Sequence, residues 1–184
     1  MRVIAGSRRG LLLRGFEGAD IRPTADRVKE NLFNVIAPHI PGARVLDLFA
    51  GTGGLAIEAL SRGAREAVLC EKSRAAADLI IKNVAKARFD RESAVLCTDG
   101  IHYLKQSDTP FDLILLDPPY GEGLIGRALA SISQRRLLTA DGIIAAECDE
   151  ADSVSVPAGL ILQKEKKYGR TRILVLGWDF EVNV

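Results

Sequence analysis

Val45-Leu46-Asp47-Leu48-Phe49-Ala50-Gly51-Thr52-Gly53-Gly54 decides the fold, because a short apolar run ends in a loop of small residues and a helical pattern follows from Gly54 to Arg62. Strand, glycine turn and helix in that order form the opening unit of a doubly wound sheet, with the glycines bringing backbone close to a nucleotide-like ligand. The rhythm then repeats outward. Ala67–Cys70 reads as a strand, Ser73–Ala87 as a helix with Ala76, Leu79, Ile80, Val84 and Ala87 in one stripe, and Ala94–Cys97 as the next strand. A short helix near Ile101–Lys105, strand Phe111–Leu116, a helix from after Tyr120-Gly121 to about Arg136, and strand Ile143–Glu147 complete it. The spacing predicts an α/β fold with a Rossmann-like sheet of five parallel strands, the apolar run Leu113-Ile114-Leu115-Leu116 marking one covered on both faces. Leu160–Lys166 and Arg170–Leu176, around Tyr168-Gly169, read as an antiparallel hairpin at one edge.

A second loop, Asp117-Pro118-Pro119-Tyr120, directly follows the strand expected to lie beside the first, so it should face the glycine loop across the crevice at the strand ends. It offers a carboxylate, a stiffened carbonyl and an aromatic ring in consecutive positions, which suits a flat base with an exocyclic amine. Such an amine is a poor nucleophile because its lone pair is delocalised. Acceptors at Asp117 and the Pro118 carbonyl would orient it and favour its localised, tetrahedral form. The two loops together point to methyl transfer from S-adenosylmethionine to an amino nitrogen, with Asp117, Pro118, Pro119 and Tyr120 as the chemical end and no metal required.

The cofactor end is expected in Asp47, Phe49, Ala50, Gly51, Thr52, Gly53, Glu71, Lys72, Asp99 and Gly100. Glu71 ends the second strand and is placed for ribose hydroxyls, and Asp99 follows the third and is placed for an adenine amine. Gly51-Thr52-Gly53-Gly54-Leu55-Ala56 also satisfies the dinucleotide pattern, which makes a nicotinamide enzyme a competitor. Against it, Asp47 would confront a pyrophosphate, and no residue stands out for hydride chemistry.

At 184 residues and 47% hydrophobic content, the chain can bury one substantial core. Its net charge of +1 conceals basic ends: Arg2, Arg8, Arg9, Arg14, Arg22, Arg27 and Lys29 at one, Lys164, Lys166, Lys167, Arg170 and Arg172 at the other. Pro23-Thr24 opens a helix, with Thr24 as N-cap, running to about Ala37; Val28, Leu32, Val35 and Ile36 share its apolar face, and Thr24, Arg27, Asn31 and Asn34 the opposite one. Pro38 and Pro41-Gly42 suggest a boundary, dividing residues 1–42 as an extension from 43–184 as the main domain. Cys70, Cys97 and Cys148 match neither a disulfide framework nor a metal spacing and are expected as reduced core residues. His39 and His102 are expected at the surface or at helix caps. The absence of a secretory pattern or a bilayer-spanning run makes a cytoplasmic location the expectation, and a monomer is also expected.

With these residues in hand, the chain resembles the class I S-adenosylmethionine methyltransferases, and among them the RsmD family. The similarity rests on Arg2–Gly6, on Ile21-Arg22-Pro23-Thr24-Ala25-Asp26-Arg27-Val28-Lys29-Glu30-Asn31-Leu32-Phe33-Asn34, on Leu46 through Ala64, and on Asp117–Tyr120. The resemblance implies methylation of a guanine amine in 16S ribosomal RNA, within a small ribosomal subunit that is at least partly assembled. It also implies cofactor contacts at Gly51, Gly53, Glu71 and Asp99, base contacts at Asp117, Pro118 and Tyr120, and RNA contacts from the extension through Arg8, Arg9, Arg22 and Arg27, with Thr24 and Asn31 on the same helix face. An adenine amino methylase of DNA or RNA and a non-catalytic RNA-binding module are the alternatives.

Overall fold

The computed structural model of the chain describes residues 1–16 and 23–180. Its strands are β1 Arg44–Asp47, β2 Glu66–Glu71, β3 Ser93–Cys97, β4 Phe111–Leu116, β5 Leu138–Asp149, β6 Leu160–Tyr168 and β7 Thr171–Trp178; its helices are α1 Pro23–Val35, α2 Gly54–Ser61, α3 Arg74–Ala87, α4 Gly100–Gln106 and α5 Leu124–Arg135. The strands form one seven-stranded sheet in the order β3-β2-β1-β4-β5-β7-β6. Neighbours from β3 to β5 run parallel, and β7 and β6 are added antiparallel, as the alternation of the sequence predicts. Strand order reverses between β1 and β4, whose register pairs Val45 with Leu113 and Asp47 with Leu115. Ligand crevices open at such a switch point.

Both faces of the parallel sheet are covered, which is why the central strands are continuously apolar. Val45, Leu113, Leu115, Ile143 and Ala145 pack toward α1, α2 and α3, whereas Leu46, Ile114, Leu116, Ile144 and Ala146 pack toward α4 and α5. Cys70 and Cys148 are buried as expected, but Cys97 is exposed. The correction follows from strand order: β3 is an outer strand, so part of it faces solvent.

The first residues form a small bridge, Arg2 opposite Leu12, closed over a 3-10 turn at Gly6–Arg8. Helix α1 includes Pro23, so Thr24 lies within its first turn and does not cap it; proline lacks the amide hydrogen that the first helical position leaves unused. It ends at Val35, and a separate 3-10 turn covers Ala37–His39. Val3, Leu13, Leu32, Phe33, Ile36 and Ile40 belong to the same hydrophobic cluster as β1, α2 and α3. A polar anchor sits beside that cluster. Glu58 of α2, fully buried, accepts from the amides of Ile4 at 2.7 Å and Ala5 at 3.0 Å, and pairs with Arg62 at 2.8 Å and Lys29 at 3.4 Å. Lys29 also donates to the Arg2 carbonyl, and burial lowers its pKa against the attraction of Glu58.

Candidate active site

The glycine loop turns because Gly51 and Gly53 take φ of 54° and 78°, the left-handed region that side chains disfavour. The Gly51 amide donates to Glu71 Oε2 at 3.0 Å, and the Ser73 amide donates to Glu71 Oε1 at 2.8 Å. Glu71 is thereby held at the end of β2, and carboxylate oxygens with further lone pairs can accept from ligand hydroxyls. Asp99 Oδ1 accepts from the His102 amide at 2.8 Å and caps α4, which fixes this carboxylate at the end of β3. His39 and His102 are both exposed.

Asp47 lies beneath the loop, wholly buried. Its Oδ2 accepts from the Ala56 amide in the first turn of α2 at 3.2 Å, and the backbone amides of Ala56 and Phe49 both favour its charged form. Burial pushes its pKa up to about 7, with the nearby Glu71 charge adding to the rise. The position at a helix N-terminus where a dinucleotide would place its pyrophosphate is thus taken by a protein carboxyl group. This geometry disfavours the nicotinamide alternative.

Across the crevice, one cavity of about 550 Å³ is lined by Phe49, Gly51, Glu71, Lys72, Asp99 and Gly100 on one side and by Asp117, Pro118 and Pro119 on the other. Both ends of the expected site therefore open into a single space. Arg127 and Glu122, which the sequence pattern does not single out, also line it. Ala50, Thr52 and Gly53, also expected at the cofactor end, do not line it; the Ala50 amide donates to the Cys70 carbonyl at 2.9 Å and the Thr52 carbonyl accepts from Asn83 at 2.9 Å. Tyr120 lies just outside, in an adjoining cavity of about 250 Å³ with Pro118, Pro119, Asp152 and Val154, and is half exposed. Its hydroxyl donates to Glu147 Oε1 at 3.0 Å. Burial, then the charges of Glu147 and Asp47, push Asp117 up to about 8. Burial also raises Glu147, opposed by the Tyr120 hydrogen bond.

Among the residues expected to meet RNA, Arg9 and Arg27 are exposed and line a concavity of about 690 Å³ with Arg2, Asp26 and Glu30. Asn31 is half-buried on the same helix. Arg8 is engaged internally: its Nε donates to the Ala87 carbonyl at 2.6 Å and its guanidinium lies 5.1 Å from the Phe89 ring centre. Arg22 and the Thr24 side chain lie outside the described residues.

A family model described as "Conserved hypothetical protein 95" matches residues 1–177. Ribosomal RNA small subunit methyltransferase D of Escherichia coli K12 is 36% identical over 171 residues, covering 92% of this chain and 86% of that one. The chain belongs to the RsmD family. The solved structure of yhhF from Escherichia coli superposes with a TM-score of 0.87 at 33% identity, covering 97% of this chain and 98% of that one. The same fold recurs in SMU.776, solved in complex with SAH, at 16% identity and a TM-score of 0.66 over 85% of this chain and 50% of that one.

Within this RsmD family member, Arg2–Gly6 forms the N-terminal bridge and enters the Glu58 anchor, Leu46–Ala64 forms the second half of β1, the glycine loop and α2, and Asp117–Tyr120 leaves β4 at the crevice. Two residues near the site are not evident from sequence. Glu147 closes the run Ile143-Ile144-Ala145-Ala146 just as Asp117 closes its own, and that pattern is the available signal. Asn83 is a fully buried amide on the apolar side of α3; it accepts from the Arg14 amide at 2.8 Å and donates to the Arg14 carbonyl at 3.0 Å and the Thr52 carbonyl at 2.9 Å. It ties the N-terminal segment to the glycine loop.

Proposed function

We propose that this protein transfers a methyl group from S-adenosylmethionine to the exocyclic N2 amine of a guanine in 16S ribosomal RNA. The observation that carries the reading is the single cavity shared by Glu71 and Asp99 on one wall and Asp117 and Pro118 on the other. Family membership supports the ribosomal substrate, since the Escherichia coli relative is named for the small subunit. Bound S-adenosylmethionine supplies an electrophilic methyl carbon on a sulfonium. Glu71 would accept from its ribose hydroxyls and Asp99 from its adenine amine.

Asp117 and the Pro118 carbonyl accept the two amine hydrogens, aim the nitrogen lone pair at the methyl carbon, and gain strength as that lone pair localises. Once methylated, the amine would be acidic, and Asp117 or water would take its proton. A carboxyl group held near neutrality is matched to that late transfer. Tyr120 stacks on a base that must leave its helical stack to reach the crevice. Arg9 and Arg27, with Arg22, contact the RNA backbone of an assembling small subunit.

The test is incubation with methyl-labelled S-adenosylmethionine and small subunits from a strain lacking this enzyme, followed by nucleoside mass spectrometry. Label in N2-methylguanosine is expected. Label in methyladenosine would instead make the protein an adenine amino methylase, and no label despite cofactor binding would favour an RNA-binding module.

A further inference from the structure

Glu147 stands closer to the chemistry than the sequence pattern implies. Parallel pairing of Leu116 with Ala146 sets the next residues side by side, Asp117 just past the end of β4 and Glu147 still within β5, where neighbouring strands lie roughly 4.8 Å apart. Two residues earlier, Leu115 and Ala145 pack into the same cluster, so alternation along the strands sends Asp117 and Glu147 toward a common face. Tyr120 joins them through its hydroxyl, which donates to Glu147 Oε1 at 3.0 Å. Among the described residues no protein donor reaches Glu147 Oε2.

We propose that Glu147 is the specificity-determining residue for guanine: together with Asp117 it presents two neighbouring acceptors, matched to a base edge that carries two neighbouring donors, N2–H and N1–H. This rests on the reading of the site as one for a guanine amine and deepens it. Adenine offers its N6 amine beside N1, which is an acceptor. If Asp117 holds either amine, Glu147 then meets a hydrogen in guanine and a lone pair in adenine. An ionised carboxylate can only accept, so the second pairing leaves two desolvated acceptors opposed. Should the two carboxyls share a proton, the neutral group keeps a carbonyl oxygen facing the base, and the pair still offers acceptors at both positions. Tyr120 contributes the other coordinate. Its hydrogen bond to Glu147 fixes the ring that takes the face of the base relative to the carboxylate that takes its edge.

The experiment compares small subunits reconstituted with guanine or with 2-aminopurine at the methylated position. The analogue keeps the exocyclic amine in place but has an acceptor at N1. Wild type is expected to favour guanine in kcat/KM by roughly 10⁴-fold, the scale seen when a site built around a hydrogen bond meets an analogue lacking it. Glu147→Gln can turn an amide donor to N1, so it should narrow that ratio at least tenfold, mainly through KM, while S-adenosylmethionine binding confirms a folded protein. Tyr120→Phe removes the hydroxyl contact but leaves the carboxylate, and should keep the guanine preference. An unchanged ratio in Glu147→Gln, with guanine still methylated by wild type, would overturn the proposal and leave Glu147 as a support for Tyr120. Absence of guanine methylation by wild type would instead remove the underlying reading, and this inference with it.

Discussion

Asp47 and Asp117 end neighbouring strands, and burial raises both, yet they serve different tasks. Asp47 faces inward and holds the first turn of α2, whereas Asp117 opens into the cavity. Replacing Asp117 with alanine should therefore lower kcat by roughly 100-fold or more, as removal of an oriented transition-state contact does, with little change in S-adenosylmethionine affinity by calorimetry. Equal weakening of both would contradict the division between the two walls. For Asp47 the prediction concerns stability. Its folded pKa, about 7, lies above the ordinary carboxylate value, so the folded state prefers the protonated form. That stabilisation is fully present below the ordinary value and is lost as pH rises through about 7. Asp47→Asn keeps a neutral side chain at every pH, so the Tm of wild type should fall relative to the variant between about pH 4 and pH 7 and level off above it. A constant difference over that range would mean that Asp47 is already ionised at the lower pH. Both residues are legible in the sequence because each closes an apolar strand. Their different surroundings are not, Asp47 sealed beneath the loop and Asp117 at the cavity, since these depend on which neighbouring elements cover the strand end.

The N-terminal bridge, α1 and α2 show what an element needs beyond its own pattern. Val28 and Leu32 are readable as the buried stripe of α1, which Ile36 extends just past its end, but Phe33 and Lys29 are buried too. Lys29 is covered because Glu58 and the Arg2 carbonyl meet its ammonium group, and neither partner is local in sequence. Glu58 is the shared partner of two cations and two backbone amides. Truncating it to alanine leaves those groups without their acceptor, and the expected destabilisation is about 3–5 kcal/mol by urea unfolding, with faster amide exchange at Ile4 and Ala5. A value below about 1 kcal/mol with unchanged exchange would show that apolar packing alone holds the segment. The edge hairpin is legible as antiparallel from its Tyr168-Gly169 turn, and its outer strand β6 carries exposed Lys164, Lys166 and Lys167, charges that discourage a further strand from pairing there.

At the scale of the molecule, the near-neutral net charge hides basic stretches at the two ends of the sequence. Arg9 and Arg27 come from separate segments and line one concavity, while Asn83 connects that region to the glycine loop through Arg14 and Thr52. The double substitution Arg9→Ala, Arg27→Ala should weaken RNA binding and reduce the slope of log K against log salt by about 0.7–0.9 for each phosphate that is no longer neutralised. Unchanged affinity and slope would exclude this surface from the RNA path. The sequence by itself determined the alternation of strands and helices, the parallel sheet with its added hairpin, and the two loops that converge at the switch point. Each of these is written in local periodicity, in glycine and proline chemistry, or in a connection rule that acts on neighbouring elements. Only the tertiary structure decided that Arg8 is spent on Ala87 and Phe89, that Glu58 and Asn83 anchor the N-terminal segment, and that Glu147 stands beside Asp117 and Tyr120. Those outcomes depend on which distant side chains share a buried, low-dielectric space, and strand register and packing set that arrangement.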